Sequence, residues 1–177
     1  MTLTEILTRR RSCRKFEPRP VSRETIETLL KLALTAPSSK NVRSSRFMVV
    51  TDPAAMERIS HMRDQGAALI AGAPCAIVVC GDGEASDLWV DNAAISATIL
   101  QLAAQEAGLG SCWVHVNGRP QRHEEPQGPD AEAHLRTFLP IPAGWRPLCV
   151  VALGYPLEAP RPRSEKDDSD KWLMING

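Results

Sequence analysis

"CAIVVC", residues 75–80, is the stretch on which the fold turns. A half-exposed strand alternates apolar with polar residues, so an unbroken β-prone apolar run reads as a strand covered on both faces. The apolar stretch around it, "GAALIAGAPCAIVVC" at 66–80, is too short to span a bilayer and is interrupted by glycine and proline. Covering such a strand needs helices. Residues 86–107, "SDLWVDNAAISATILQLAAQEA", supply a long one. It is apolar around most of its circumference and rich in alanine, which predicts a central helix packed on several sides, ended by Gly108 and Gly110.

Shorter elements follow from local signals. Thr2 and Glu5 have capping-box spacing before a brief first helix. Ser22 can cap a second, in which Ile26, Leu29, Leu30, Ala33 and Leu34 form one buried stripe before Pro37 stops it. Residues 46–51 read as a strand, and Asp52 with Pro53 opens another helix as cap and first residue. "SCWVHV" at 111–116 and "PLCVVALG" at 147–154 are further strands. Between them lie a proline- and glycine-bearing polar loop at 117–130 and a weaker helix near 131–138. Mixed helices and strands without regular βαβ alternation predict an α+β domain with a central sheet.

At 177 residues the chain suits one core. Lys plus Arg and Asp plus Glu each number 21, so no global field draws polyanions, which argues against a dedicated nucleic-acid binder. The N-terminus lacks the apolar core of a secretory signal, and the expected location is cytoplasmic. Five cysteines, with no C-x-x-C pair, suit reduced thiols. The histidines show no metal-ligand spacing with them, and no metal site is assigned. The domain is expected to occupy residues 1–155. Residues 156–177 turn rich in proline and charge yet reach Trp172, Leu173, Met174 and Ile175, which predicts an arm that docks, naturally on a partner subunit.

Three stretches carry candidate chemistry. "TRRRSCRKF", residues 8–16, packs five basic side chains into nine residues. Arg10, Arg11, Ser12 and Arg14 offer guanidinium forks and a hydroxyl, the donors a terminal phosphate needs; the other reading is a solvated basic turn. Among those arginines, Cys13 could have a lowered pKa and be reactive, but the favoured reading is a passenger beside the phosphate site. "APSSKN", residues 36–41, sets Pro37, Ser38, Ser39 and Asn41 on a stiffened loop able to hydrogen-bond a ligand, or simply to end a helix. "AGLGSCWVHV", residues 107–116, lets a backbone approach a flat ligand with Trp113 as an apolar wall, or is only a helix cap and a buried strand. No dinucleotide fingerprint, nucleophile elbow or Walker sequence occurs.

Taken together, "RRRSCRKF", "APSSKN", "GLGSCWVHV" and "VVALGYP" (150–156), in this order, resemble the segments of the FMN-dependent nitroreductase family, particularly its short members. The resemblance implies a nitroreductase-like α+β fold with a mostly antiparallel sheet flanked by helices, in a homodimer that exchanges C-terminal arms and binds two FMN at its interface. It maps the FMN phosphate onto Arg10, Ser12 and Arg14 with Arg11 adjacent. It maps Pro37, Ser38, Ser39 and Asn41 onto a loop reaching the same flavin from the other subunit, and Trp113, Val114 and His115 onto the strand along the ring. One of Arg161, Arg163 and Lys166 would join the phosphate. The implied activity is transfer of a hydride from NADPH or NADH through FMN to a nitroaromatic, quinone or similar small acceptor. No side-chain acid or base is implied as catalytic, and the alternative is a flavin carrier or sensor without turnover.

Two departures stand out. Arg43 occupies the position of the family's usual Gln, where it could reach the pyrimidine side of the flavin and raise its potential. Ser45 stands where a large aromatic is usual, which implies a more open substrate pocket.

Overall fold

Side chains along the central strands point alternately to two buried faces, and that alternation sorts the helices into two layers. The computed structural model describes residues 1–160, 171, 172 and 175. Strands β1 (Ser45–Val50), β2 (Cys75–Asp82), β3 (Gly110–His115) and β4 (Trp145–Gly154) form one antiparallel sheet in the order β1-β2-β4-β3. Ile77 and Val79 of β2 pack with Val151 and Leu153 of β4 against α4 (Trp89–Glu106) and α2 (Arg23–Ala33). Ala76, Val78 and Cys80 turn to the other side, where α3 (Pro53–Ser60), the 3-10 turn Ala68–Gly72 and α5 (Ala131–Arg136) cover them. The strand predicted to be covered on both faces is so covered. Leu100, wholly buried on α4, sits in this packing, and truncating such a residue to alanine costs about 2–5 kcal/mol.

The local signals act where they were read. Thr2 and Glu5 form a reciprocal capping box on α1 (Leu3–Arg9), Ser22 caps α2, and Asp52 caps α3 with Pro53 inside its first turn. Helix α4 starts three residues later than the sequence predicts. The Asp82 carboxylate accepts from the Glu84 and Ala85 amides, and Ser86 Oγ from the Leu88 amide, so polar side chains hold residues 82–88 in turns. At its other end Gly108, with φ +75°, makes a Schellman closure: its own amide bonds Gln105 O and the Leu109 amide bonds Ala104 O. Buried Leu109 then leads directly into β3.

Residues 10–17 leave α1 in extended form and cover the outer edge of β3. Ser12 bridges Ser111 in parallel, the Cys13 amide donates to Ser111 O at 2.9 Å, and Phe16 bridges Pro156. Part of an edge that would otherwise expose unpaired backbone groups is thus paired, at Ser111. Among the described residues no helix is long and apolar enough to cross a membrane. Trp172 and Ile175 are exposed, while Leu173 and Met174 lie outside the described residues, as do Arg161, Arg163 and Lys166.

Candidate flavin site

The basic segment lines a cavity of about 710 Å³, within the usual range for small-molecule sites. Its walls include Arg11, Ser12, Cys13, Arg14, Gly108 and Gly110. The acid there, Glu158, is paired to Lys15 at 3.0 Å. Among the described residues neither Arg10 nor Arg14 has an acidic partner; Arg14 makes only a long 3.5 Å contact to Ser12 O. Arg11 is differently used. Its guanidinium donates to Thr8 O at 2.9 Å and Arg10 O at 2.6 Å, capping the end of α1. Arg14 and the exposed Ser12 hydroxyl line the cavity and Arg10 stands just before that lining; these are the donors a phosphate needs.

Gly110 is what lets this segment lie flat on the sheet. A Cβ there would stand 2.6 Å from Cys13 Cβ and 2.7 Å from its Sγ. Gly110→Ala is therefore expected to destabilise the protein by about 1–3 kcal/mol and lower Tm by several degrees, read by thermal denaturation. The same close packing decides between the two readings of Cys13 in favour of the passenger. Burial pushes its thiol up and outweighs the charge of Arg14, so the arginines do not make it an activated thiolate.

Loop 38–43 is built differently. Lys40, Asn41 and Arg43 all have left-handed backbone, with φ of 50°, 56° and 49°. Non-glycine residues pay about 1 kcal/mol or more for that conformation, least for Asn, and such strain persists only where the surroundings enforce it. Here Ser38 Oγ accepts from the Arg43 amide at 2.8 Å, Asn92 Oδ1 accepts from the Ser39 amide at 3.0 Å, and Arg46 Nη1 donates to Arg43 O at 2.8 Å. Pro37 and Asn41 remain exposed. Arg43 itself turns its guanidinium to Leu34 O at 3.3 Å, at the end of α2.

Ser45 corrects an expectation. It is buried, bonded to Ser96 Oγ at 2.7 Å and to Asn92 O at 3.1 Å, and shares the α4-facing side of β1 with Phe47. It does not widen a pocket. The period of two along a strand points it inward, which the family pattern alone did not reveal.

On β3, Trp113 Nε1 donates to His115 Nδ1 at 3.2 Å and the rings stack 6.1 Å apart. Burial, then the charges of Arg119 and Arg63, push the His115 pKa down. Both facts favour neutral imidazole, because protonation would place a second donor against the indole N–H. The folded state then binds fewer protons than the unfolded chain, so this contribution to stability is present above the usual histidine value and fades as pH falls below it. Val114, between the two, points into the opposite core. Arg63, whose Nη1 lies 3.4 Å from His115 O, and buried Asn92 were not singled out from sequence.

One chain brings the basic segment against the start of β3 but leaves the loop at 38–43 apart from both. Ser12 lies beside β3 at the level of Leu153, whereas Ser45 starts β1, at the opposite edge, at the level of Gly81 and Arg146. Four strand spacings across and seven residues along put them roughly 30 Å apart. Helix α4 gives a second ruler. Asn92 anchors the loop and Gln105 lines the cavity, and thirteen residues of helix span about 20 Å.

These features define an α+β protein with one antiparallel sheet between two helical layers and an arginine-lined cavity on the sheet's edge. The chain belongs to the nitroreductase family, whose sequence model matches residues 7–65 and 61–155; by family it is an oxidoreductase. A protein of Methanothermobacter thermautotrophicus with the provisional name NADH dehydrogenase/NAD(P)H nitroreductase is 32% identical over 97% of this chain and 88% of its own. One of the same provisional name from Archaeoglobus fulgidus is 35% identical over 89% and 84%. Among solved structures, an FMN-dependent nitroreductase from Clostridium difficile is 34% identical, with a TM-score of 0.88 over 98% of this chain and 99% of that one.

Proposed function

We propose that this chain binds FMN and passes a hydride from NADPH or NADH to a nitroaromatic, quinone or similar small acceptor. The observation that carries the reading is the cavity against Ser12 and Arg14, whose guanidinium has no acidic partner among the described residues. The relatives' names, which include FMN and NAD(P)H, support it. Bound FMN would supply the two-electron chemistry that no side chain here offers. Arg10, Ser12 and Arg14 would hold the phosphate, with Arg11 fixing the backbone that presents them. Trp113, Val114 and His115 would support the ring along β3.

The separation of roughly 20–30 Å between cluster and loop supports a site completed by a second copy. In that homodimer Pro37, Ser38, Ser39 and Asn41 of one subunit would close over the flavin held by the other. Residues 156–177 would serve as the arm after the 1–155 domain, and the exposed Trp172 and Ile175 are apolar groups it could bury on the partner. The carrier or sensor reading drew on an open pocket at Ser45, and a buried Ser45 removes that support.

The test is the absorption spectrum of the purified protein, followed by anaerobic NADPH and then NADH. A flavin spectrum that bleaches with either nucleotide and returns with a quinone is the expected result. Failure to bind added FMN would overturn the proposal, and a bound flavin that neither nucleotide bleaches would favour the carrier.

A further inference from the structure

Asn92 is the least exposed polar anchor of the strained loop. The residue is 2% exposed and both polar atoms of its side chain are hydrogen-bonded. Oδ1 accepts from the Ser39 amide, while Nδ2 donates to Ser44 Oγ at 2.9 Å and Ser86 Oγ at 3.4 Å. The amide orientation is fixed by chemistry, since a backbone N–H can only donate and must face the oxygen. The residue sits in the first turn of α4, packed on the sheet, so the loop is referred to a rigid element rather than to its own chain neighbours.

Resting on the flavin reading above, we propose that Asn92 is a positioning residue for cofactor binding in trans. By holding the Ser39 amide it keeps the loop with left-handed Lys40, Asn41 and Arg43 in the shape that meets the partner's flavin. It touches no flavin itself. Its influence passes through a backbone amide of the loop, to a site whose phosphate end lies on the other subunit.

Asn92→Leu keeps the branched shape, with somewhat more bulk, but removes the side-chain partner of the Ser39 amide, Ser44 and Ser86. Asn92→Asp keeps the acceptor, and both serine hydroxyls can turn to donate to the carboxylate, so it should restore the loop. In the full-length protein, Asn92→Leu is expected to loosen FMN about 10- to 100-fold and to speed tryptic nicking after Lys40 or Arg43 about tenfold or more. Asn92→Asp is expected within about threefold of wild type on both readouts. Should the leucine variant not fold, Asn92→Ser, too short to reach Ser39, takes its place with the same expectations. Unchanged FMN affinity in a wild type that binds FMN overturns the inference alone, whether or not nicking accelerates. An aspartate variant that behaves like leucine also overturns it, because hydrogen bonding would then not be the cause. A wild type that binds no FMN removes the flavin reading and this inference with it, while nicking still reports whether Asn92 holds the loop.

Discussion

Replacing Arg10 and Arg14 together by alanine is expected to weaken FMN binding by about 10²- to 10⁴-fold. Hydrogen bonds to charged groups are worth roughly 1.5–3 kcal/mol each, and each 1.4 kcal/mol is tenfold, so two such partners account for that range. Stability should barely change. Neither guanidinium is buried or paired with an acid among the described residues, and surface substitutions of that kind stay within about 0.5 kcal/mol. Arg11→Ala is the internal contrast. Its guanidinium already serves the carbonyls of Thr8 and Arg10, so its loss should weaken FMN no more than about fivefold while fraying α1. Flavin fluorescence titration at fixed ionic strength measures all three. A double variant within threefold of wild type would sink the phosphate assignment.

The second large effect is one of stoichiometry. A dimer pairing a subunit carrying Arg10→Ala and Arg14→Ala with one carrying Asn41→Val should bind a single FMN at wild-type affinity. Valine is β-branched and tolerates the φ of 56° at position 41 poorly, so that variant spoils the loop, while the first spoils the cluster. If each site takes its cluster from one subunit and its loop from the other, both lesions fall in one site and leave the second intact. Were cluster and loop to serve the same site within one chain, both sites would be damaged and no tight FMN would remain. Isolating the mixed dimer with two affinity tags and titrating its flavin content decides between them. The separation of roughly 20–30 Å within one chain favours the first outcome.

Much of this was legible because the signals are local. A serine two to three residues from the amides it caps, or an aspartate before a proline, acts on its own turn, and Ser22 and Asp52 do so. The run at 75–80 fixed its own burial for a similar reason: a strand with no polar side has no face to give to water. The basic segment was legible as a phosphate candidate through its side-chain chemistry, and its order with the other motifs carried the family. What was left open or misread depended on neighbours distant in sequence. The arginines beside Cys13 left activation open as a lesser reading, and only Gly110, far along the chain, which packs against it and buries it, closes that reading. Ser45 was expected to open a pocket, yet Ser96 and Asn92 on α4 hold it inside.

By itself the sequence determined the elements, their caps, the α+β class and the family, since each follows from periodicity, turn chemistry or the order of short motifs. Only the tertiary structure decided that Arg11 serves α1, that Asn92 anchors the left-handed loop, and that cluster and loop stand at opposite corners of one sheet. Strand order β1-β2-β4-β3 is set by which apolar faces pack together over long separations, and no local spacing encodes it.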